Sequence, residues 1–310
     1  MIKTVTLNPA VDKTVEINNF RVGEVNRISS IRLDAGGKGI NVAKTIKALG
    51  GSSIATGFLA GRNGDYIKDS LNRMQVSNDF LFVKGETRTN LKIVDRGNQT
   101  NTDINEPGLI EVTEEDLCQL EDKIFSDMSK DNILVLSGSV PANVPTGIYR
   151  EWTERANRSG IRVLLDADRE LLEEGIKARP HLVKPNLAEL EILLNRKLNH
   201  KNEIVSAGRS LLDMGIETAV ISLGSDGAVF FHGEHVIYVE GLKVTVKSTV
   251  GAGDAMVAAL AYAISRDNPF EKAVSLSVAA GTANVASEGT QPPNMKDVLH
   301  YEAQIHLKYL

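Results

Sequence analysis

Short runs of β-branched and apolar residues alternate along this chain with stretches whose apolar positions recur every three or four residues. The short runs predict strands at Thr4–Leu7, Ser53–Phe58, Ile133–Leu136, Arg162–Asp166, Leu182–Val183, Thr218–Ser222, Ala228–Phe231 and Val244–Lys247. The longer period predicts helices over Ile40–Leu49, Tyr66–Gln75, Glu114–Phe125, Gly147–Asn157, Leu187–Leu194 and Glu203–Met214. It also makes the last sixty residues mainly helical, starting near Gly253 and again near Phe270. Strand followed by helix over most of the length requires right-handed crossovers and a mostly parallel, doubly wound sheet covered on both faces, an α/β fold. Val11–Leu33 and Thr87–Ile104 break the rhythm: they are rich in Thr, Asn and Arg, alternate with period two, and have no helix between neighbours. Such strands suit a small sheet standing off the main body. The expectation is one domain, 1–310, with lid strands inserted at about 11–33 and 87–104; a surface hairpin without function fits the same pattern.

Composition narrows the class. With 42% apolar and 24% charged side chains in 310 residues, the chain can bury a large core and lacks the polarity of a disordered one. Thirty-five basic against forty acidic residues give a net charge of -5 with no basic stripe, so no nucleic-acid partner is expected. The single Cys118 excludes an internal disulfide and a thiolate metal cluster and suits a reducing cytosol. The opening MIKTVTLNPAVDK carries charges too early for a secretory apolar region, and the longest apolar run, Ala255–Ile264, is too short to cross a bilayer. A cytoplasmic protein without a membrane partner is the expectation.

Lys247-Ser248-Thr249-Val250-Gly251-Ala252-Gly253-Asp254, read as the turn from a strand into an apolar helix, is the strongest chemical signal. Two glycines let successive N–H groups point at one spot, and the helix dipole adds partial positive charge there. Asp254, in the first turn, is placed to take a proton from a nucleophile attacking beside that anion site. The same residues also read as a tight turn with a capping acid. Asp34-Ala35-Gly36-Gly37-Lys38-Gly39-Ile40-Asn41 also enters a helix, and its glycines allow close backbone approach to a polar ligand with Lys38 as a point charge. It is not a Walker loop, because Arg32 stands where the first glycine belongs and Gly39 replaces the magnesium-binding Ser/Thr. Asn186 and Glu189, three apart at a helix start, can organise hydrated magnesium or cap the helix. Ser222–Gly227 suits a nucleotide contact or a hairpin bend, and Leu136–Pro141 ends a strand where α/β sheets collect ligands. Asp12, Arg27 and Arg88 lie in or beside the lid strands, with chemistry for sugar hydroxyls and phosphate oxygens. Asp166 and Asp168 end a strand as further acids; His232 and His235, flanking Gly233, have no partners for a metal.

Thr6–Asp12, Gly36–Asn41, Leu136–Pro141, Lys184–Glu189, Ser222–Gly227 and Ser248–Asp254 stand in the order found in the PfkB (ribokinase-like) carbohydrate kinases, which the chain resembles over nearly its whole length. Gly85–Lys92 and Leu165–Glu170 are most similar to the bacterial branch that acts on fructose 1-phosphate. The resemblance implies a ribokinase-like three-layer α/β/α sandwich with a small β-sheet lid, assembled as a homodimer through that lid. It implies ATP and Mg2+, and phosphorylation of fructose 1-phosphate at O6 to give fructose 1,6-bisphosphate. Asp254 would be the base and Gly251, Ala252 and Gly253 the anion hole. Asp12, Gly37, Lys38, Asn41 and Ser139 would hold the sugar, and Arg27 and Arg88 its phosphate. Lys184, Asn186, Glu189, Ser222, Gly224, Gly227, Ser248, Val250 and Asn284 would line the nucleotide pocket, with Asn186 and Glu189 meeting magnesium through water or phosphate. Some 6-phosphofructokinase relatives carry a basic residue where this chain has Val25 and glycine where it has Lys38, which argues against fructose 6-phosphate. A ketohexofuranose is nearly two-fold symmetric in shape, so tagatose 6-phosphate is the alternative acceptor. A sugar-phosphate-binding regulator without turnover is the alternative from another class.

Overall fold

The structure is a computed structural model describing residues 1–310. In chain order its first half comprises β1 (Ile2–Thr6), β2 (Ala10–Ile17), β3 (Ser30–Gly36), α1 (Lys38–Ala48), β4 (Ile54–Leu59), α2 (Gly61–Arg73), β5 (Ser77–Phe82), β6 (Lys84–Glu86), β7 (Arg88–Asp95), β8 (Thr100–Asn105), β9 (Leu109–Glu111), α3 (Glu114–Phe125), β10 (Ile133–Ser137) and α4 (Ile148–Arg158). The second half comprises β11 (Arg162–Asp166), α5 (Arg169–Ile176), β12 (Leu182–Val183), α6 (Leu187–Leu193), α7 (Lys201–Asp213), β13 (Thr218–Ser222), β14 (Ala228–His232), β15 (His235–Val239), α8 (Ala252–Ile264), α9 (Phe270–Val285), α10 (Met295–Glu302) and β16 (Leu307–Tyr309).

Ten strands form one sheet in the order β16-β15-β14-β13-β12-β11-β10-β1-β4-β5. From β5 to β13 every pair is parallel; β14, β15 and β16 extend the edge antiparallel. β1 and β10 are buried at every position, as expected of central parallel strands covered on both faces. One face packs on α3 to α7 around Tyr149, Trp152 and Phe231; the other packs on α1, α8, α9 and α10. α8 is alanine-rich and buried nearly all round, which lets α1 and α9 approach it closely. The result is a three-layer α/β/α sandwich. No helix is long and apolar enough to cross a membrane.

β3-β2-β7-β8 form a separate four-stranded sheet, with β2 pairing β7 in parallel and the outer pairs antiparallel. Register puts Arg32, Asp34, Asp12, Arg88, Asn90 and Lys92 on one face and Ile31, Leu33, Val15, Leu91, Ile93 and Ile104 on the other.

Two departures from the sequence expectation have physical causes. Val244–Lys247 is not a strand: the amides of Lys247 and Ser248 both donate to the Val285 carbonyl, at 2.9 and 3.2 Å, so the segment is stitched to the end of α9. The Ser248–Asp254 turn therefore enters α8 from an extended loop. Arg169–Ile176, too short for a clear helical period, is α5.

Candidate active site

The carboxyl ends of β1, β10, β11, β12 and β13 carry Asn8, Ser139, Asp166, Lys184 and Ser222, the edge of a parallel sheet where ligands collect. α8 starts at the same place. Gly251, with φ 88°, is its left-handed cap, a conformation that glycine adopts without a Cβ penalty. The turn leaves the amides of Ala252, Gly253 and Asp254 without acceptors inside the helix. Lys184 Nζ stands 3.1 Å from where a Cβ on Gly253 would be, so glycine gives the ammonium its place above the turn. Asn284 is buried, donates Nδ2 to the Gln291 carbonyl at 3.2 Å and leaves Oδ1 unpartnered beside Gly251.

Asp254 is buried, and its Oδ2 accepts a hydrogen bond from Asn41 Nδ2 at 2.8 Å. Burial first, and the Asp166 carboxylate second, push its carboxyl up to about 6 against the pull of Lys38, Asn41 and Lys184. Such a group is largely ionised at neutral pH and still able to hold a proton, the range suited to a general base. Asp166, only 2% exposed, offers one oxygen to two cations, with Lys38 Nζ and Lys184 Nζ each 3.3 Å from Oδ1. Burial alone would raise the Asp166 carboxyl, and the two ammonium groups outweigh it and hold it below the usual range. Lys38, half-buried, is thus not a free point charge: burial would lower its pKa, but Asp166, Asp254 and Glu189 raise it.

Across the cleft, Asp12 Oδ1 accepts from Asn90 Nδ2 at 3.0 Å. Burial raises the Asp12 carboxyl, partly offset by that hydrogen bond. A Cβ on Gly36 would fall 2.1 Å from Asp12 Oδ2, and Gly37 at φ 118° has Thr6 Cγ2 2.7 Å from its Cβ position, so a side chain at 36 must displace the Asp12 carboxylate and one at 37 is strained. Arg88 donates to the carbonyls of Glu106 and Asn8 at 3.2 and 3.3 Å, with its buried Nε unpartnered. Asn8 Nδ2 in turn reaches Ser139 Oγ at 3.3 Å. Lys92 Nζ lies 3.4 Å from Ser248 Oγ, which also accepts the Val250 amide. Arg27 lies outside this cluster, exposed in the loop between β2 and β3.

The nucleotide side is plainer. Asn186 and Glu189 form a capping box, each side chain accepting the other's amide at 2.8 Å, so the capping reading is realised. No group of three metal-binding side chains exists. The single half-buried carboxylate of Glu189 would suit a hydrated magnesium carried mainly by phosphates rather than a protein cage. Gly224 (φ 62°) and Gly227 (φ 99°) bracket one tight turn between β13 and β14, and Gly224 faces open space. Lys44 was not legible: buried in α1, its ammonium donates to the Ala35 and Thr290 carbonyls at 2.7 and 2.8 Å. Nothing in a lysine flanked by Ala43 and Thr45 announces that role.

Comparison with known proteins places this geometry in a family. The family described as pfkB family carbohydrate kinase matches residues 5–297. A protein named 1-phosphofructokinase from Borreliella burgdorferi is 36% identical over 284 residues, 91% of each chain. One of the same name from Bacillus subtilis is 36% identical over 288 residues, 93% of each chain. The crystal structure of phosphofructokinase-2 from Escherichia coli in complex with substrates and products superposes with a TM-score of 0.94 at 31% identity, covering 98% of both chains. The family match enters in β1 and leaves in α10, spanning the whole site, and the chain belongs to the pfkB family of carbohydrate kinases.

Proposed function

We propose that the protein is a sugar-phosphate kinase that transfers the γ-phosphoryl group of ATP to O6 of fructose 1-phosphate, giving fructose 1,6-bisphosphate. The observation that carries this reading is the turn at Gly251–Asp254, where free amides, a cation and a buried carboxylate with raised proton affinity meet. The name carried by the curated relatives supports fructose 1-phosphate as acceptor. Asp12, Asn41 and the Gly36–Gly37 backbone hold the sugar ring, with Ser139 and Asn8 at its edge. Arg88, already half-buried with an unpartnered Nε, takes the substrate's own phosphate. Asp254 orients O6 and accepts its proton, while the Ala252, Gly253 and Asp254 amides and Lys184 meet the charge that develops. ATP with magnesium supplies the phosphoryl group and neutralises part of its charge. Glu189 is the carboxylate placed to meet that hydrated ion, and Ser222, Gly224, Gly227, Ser248, Val250 and Asn284 border the nucleotide.

The outer face of the four-stranded sheet exposes Ile31, Leu33 and Ile104, and the neighbouring loop holds Val22 and Val25 at 92% and 87% exposure. We propose that a second copy covers this face, making a homodimer through the lid, and that the protein works in the cytoplasm with Cys118 as an exposed free thiol. Light scattering on Ile31→Lys against wild type tests the dimer: a monomeric variant supports it, and a monomeric wild type ends it.

The deciding experiment is ADP release from magnesium-ATP with fructose 1-phosphate, tagatose 6-phosphate and fructose 6-phosphate, compared by kcat/KM. The highest value is expected for fructose 1-phosphate. A preference for tagatose 6-phosphate would reverse the sugar in the site, and no ADP with any of the three would leave a binding protein.

A further inference from the structure

We infer that Asp166 is a positioning residue for this reaction: its single oxygen at the end of β11 holds Lys38 from the sugar side and Lys184 from the nucleotide side, so that the two ammonium groups flank the path of the transferred phosphoryl group. This rests on the kinase reading above. β11 lies between β10 and β12, midway between the strands whose ends carry the sugar-side residues and those that carry the nucleotide-side residues. Lys38 opens α1 next to the glycine loop, and Lys184 follows β12 and stands over Gly253. Both reach the same Oδ1 at 3.3 Å.

Two ammonium groups this close repel each other unless an anion lies between them, and with Lys184 and Asp166 buried water screens that repulsion less than it would at the surface. Asp166 supplies the anion and fixes the distance. The backbone holds it in place, since its carbonyl accepts the Gly138 amide at 3.0 Å, and a Cβ on Gly138 would stand 3.5 Å from Lys38 Cβ. The sheet itself has no need of the charge: the neighbouring positions Val163, Leu164 and Leu165 are buried and apolar, and an apolar side chain would serve the strand as well. The charge is therefore kept for the lysines. The charged and polar groups around Asp254 are Lys38, Asn41 and Lys44 from α1, Asp166 from β11 and Lys184 from the segment after β12. Removing Asp166 takes away the one negative neighbour in that set and frees two positive ones to act on Asp254.

The test is Asp166→Asn, assayed for ADP release over pH 5–9 beside wild type, with a thermal melt to confirm folding. The expected result is a kcat about tenfold to a hundredfold lower at pH 8, KM for both substrates within about threefold, and an acid limb moved to lower pH. A role in folding alone would lower the melting temperature and leave the limb where it was. An unmoved limb, or a kcat within threefold of wild type, overturns the inference. Should D166N not fold, D166E decides: it keeps the charge but carries the oxygen one methylene further, so a lower kcat with an unmoved limb supports the inference and a wild-type kcat overturns it. If wild type itself releases no ADP, the kinase reading fails separately. Carboxyl 13C titration of Asp254, identified by its loss in D254N, then decides for Asp166: a lower midpoint in D166N supports it, and an equal one overturns it.

Discussion

Replacing Asp254 with Asn separates catalysis from stability, because the two should move in opposite directions. Asp254 is 7% exposed, and its carboxyl titrates near 6 in the folded protein against an ordinary value of 3.8. With that midpoint about nine tenths of the molecules carry the carboxylate at pH 7 and about one tenth at pH 5, so kcat/KM should fall about tenfold per pH unit below 6. A carboxyl raised in the folded state binds its proton more tightly there than in the unfolded chain. Its contribution is therefore most favourable below about pH 4, is lost as pH rises through about 6, and leaves a deficit of about 3 kcal/mol above that. Asparagine resembles the protonated form and can still accept from Asn41 Nδ2. D254N should therefore melt about 4–6 °C higher than wild type at pH 8 and no higher at pH 4. Its turnover should drop about 10²–10⁴-fold, the range for a lost general base. Steady-state ADP release and differential scanning calorimetry at the two pH values give both numbers. Turnover within tenfold of wild type would remove the base, and an unchanged melting temperature at pH 8 would remove the buried ionised carboxylate.

Three further substitutions probe the site from other sides. Gly36→Ala puts a methyl 2.1 Å from Asp12 Oδ2 and must displace that carboxylate, so KM for the sugar phosphate should rise about tenfold or more while KM for ATP stays put. Gly251→Ala forces an L-residue to φ 88° beside Asn284, which should cost about 1–2 kcal/mol in denaturant unfolding and about 10²-fold in kcat as the turn's amides swing off target. Arg88→Met keeps much of the buried stem and removes the donors, so KM for the sugar phosphate should rise about 10- to 100-fold; a change in kcat alone would take Arg88 off the substrate's phosphate.

The main sheet was legible because parallel strands buried on both faces leave unbroken apolar runs, as in Ile133–Leu136, and their crossover helices leave a clear period. Val244–Lys247 misled for a related reason. Its apolar–polar alternation matches an edge strand, but the Lys247 amide pairs with the end of α9, and the pattern carries no information about which partner a backbone finds. At Asn186 and Glu189 the capping reading is realised, each side chain accepting the other's amide. Arg27 looked like Arg88 in sequence, yet its loop carries it to the surface away from the cluster. Lys44 and Asp166 were the least legible because burial decides their roles. Asp166 meets a lysine 128 positions before it and another that follows at the end of the next strand, and only the strand order β10-β11-β12 brings all three together.

That order also explains why so many charges tolerate burial in one place. Lys38, Lys44 and Lys184 face Asp12, Asp34, Asp166 and Asp254, so the cluster is nearly neutral even though Lys44, Lys184, Asp34, Asp166 and Asp254 are buried. Desolvation of any one alone would cost several kcal/mol, and pairing offsets that cost only while the partners stay in place. Lys38, Asp166, Lys184 and Asp254 sit at strand ends and in the first turns of α1 and α8, whereas Asp12 and Asp34 belong to the separate four-stranded sheet. Lys44 ties the two bodies together through the carbonyls of Ala35 at the base of that sheet and Thr290 beyond α9. Lys44 faces Asp12 and Asp34 of the small sheet as well as Asp254, so one buried ammonium links the charges of that sheet to the carboxylate at the start of α8.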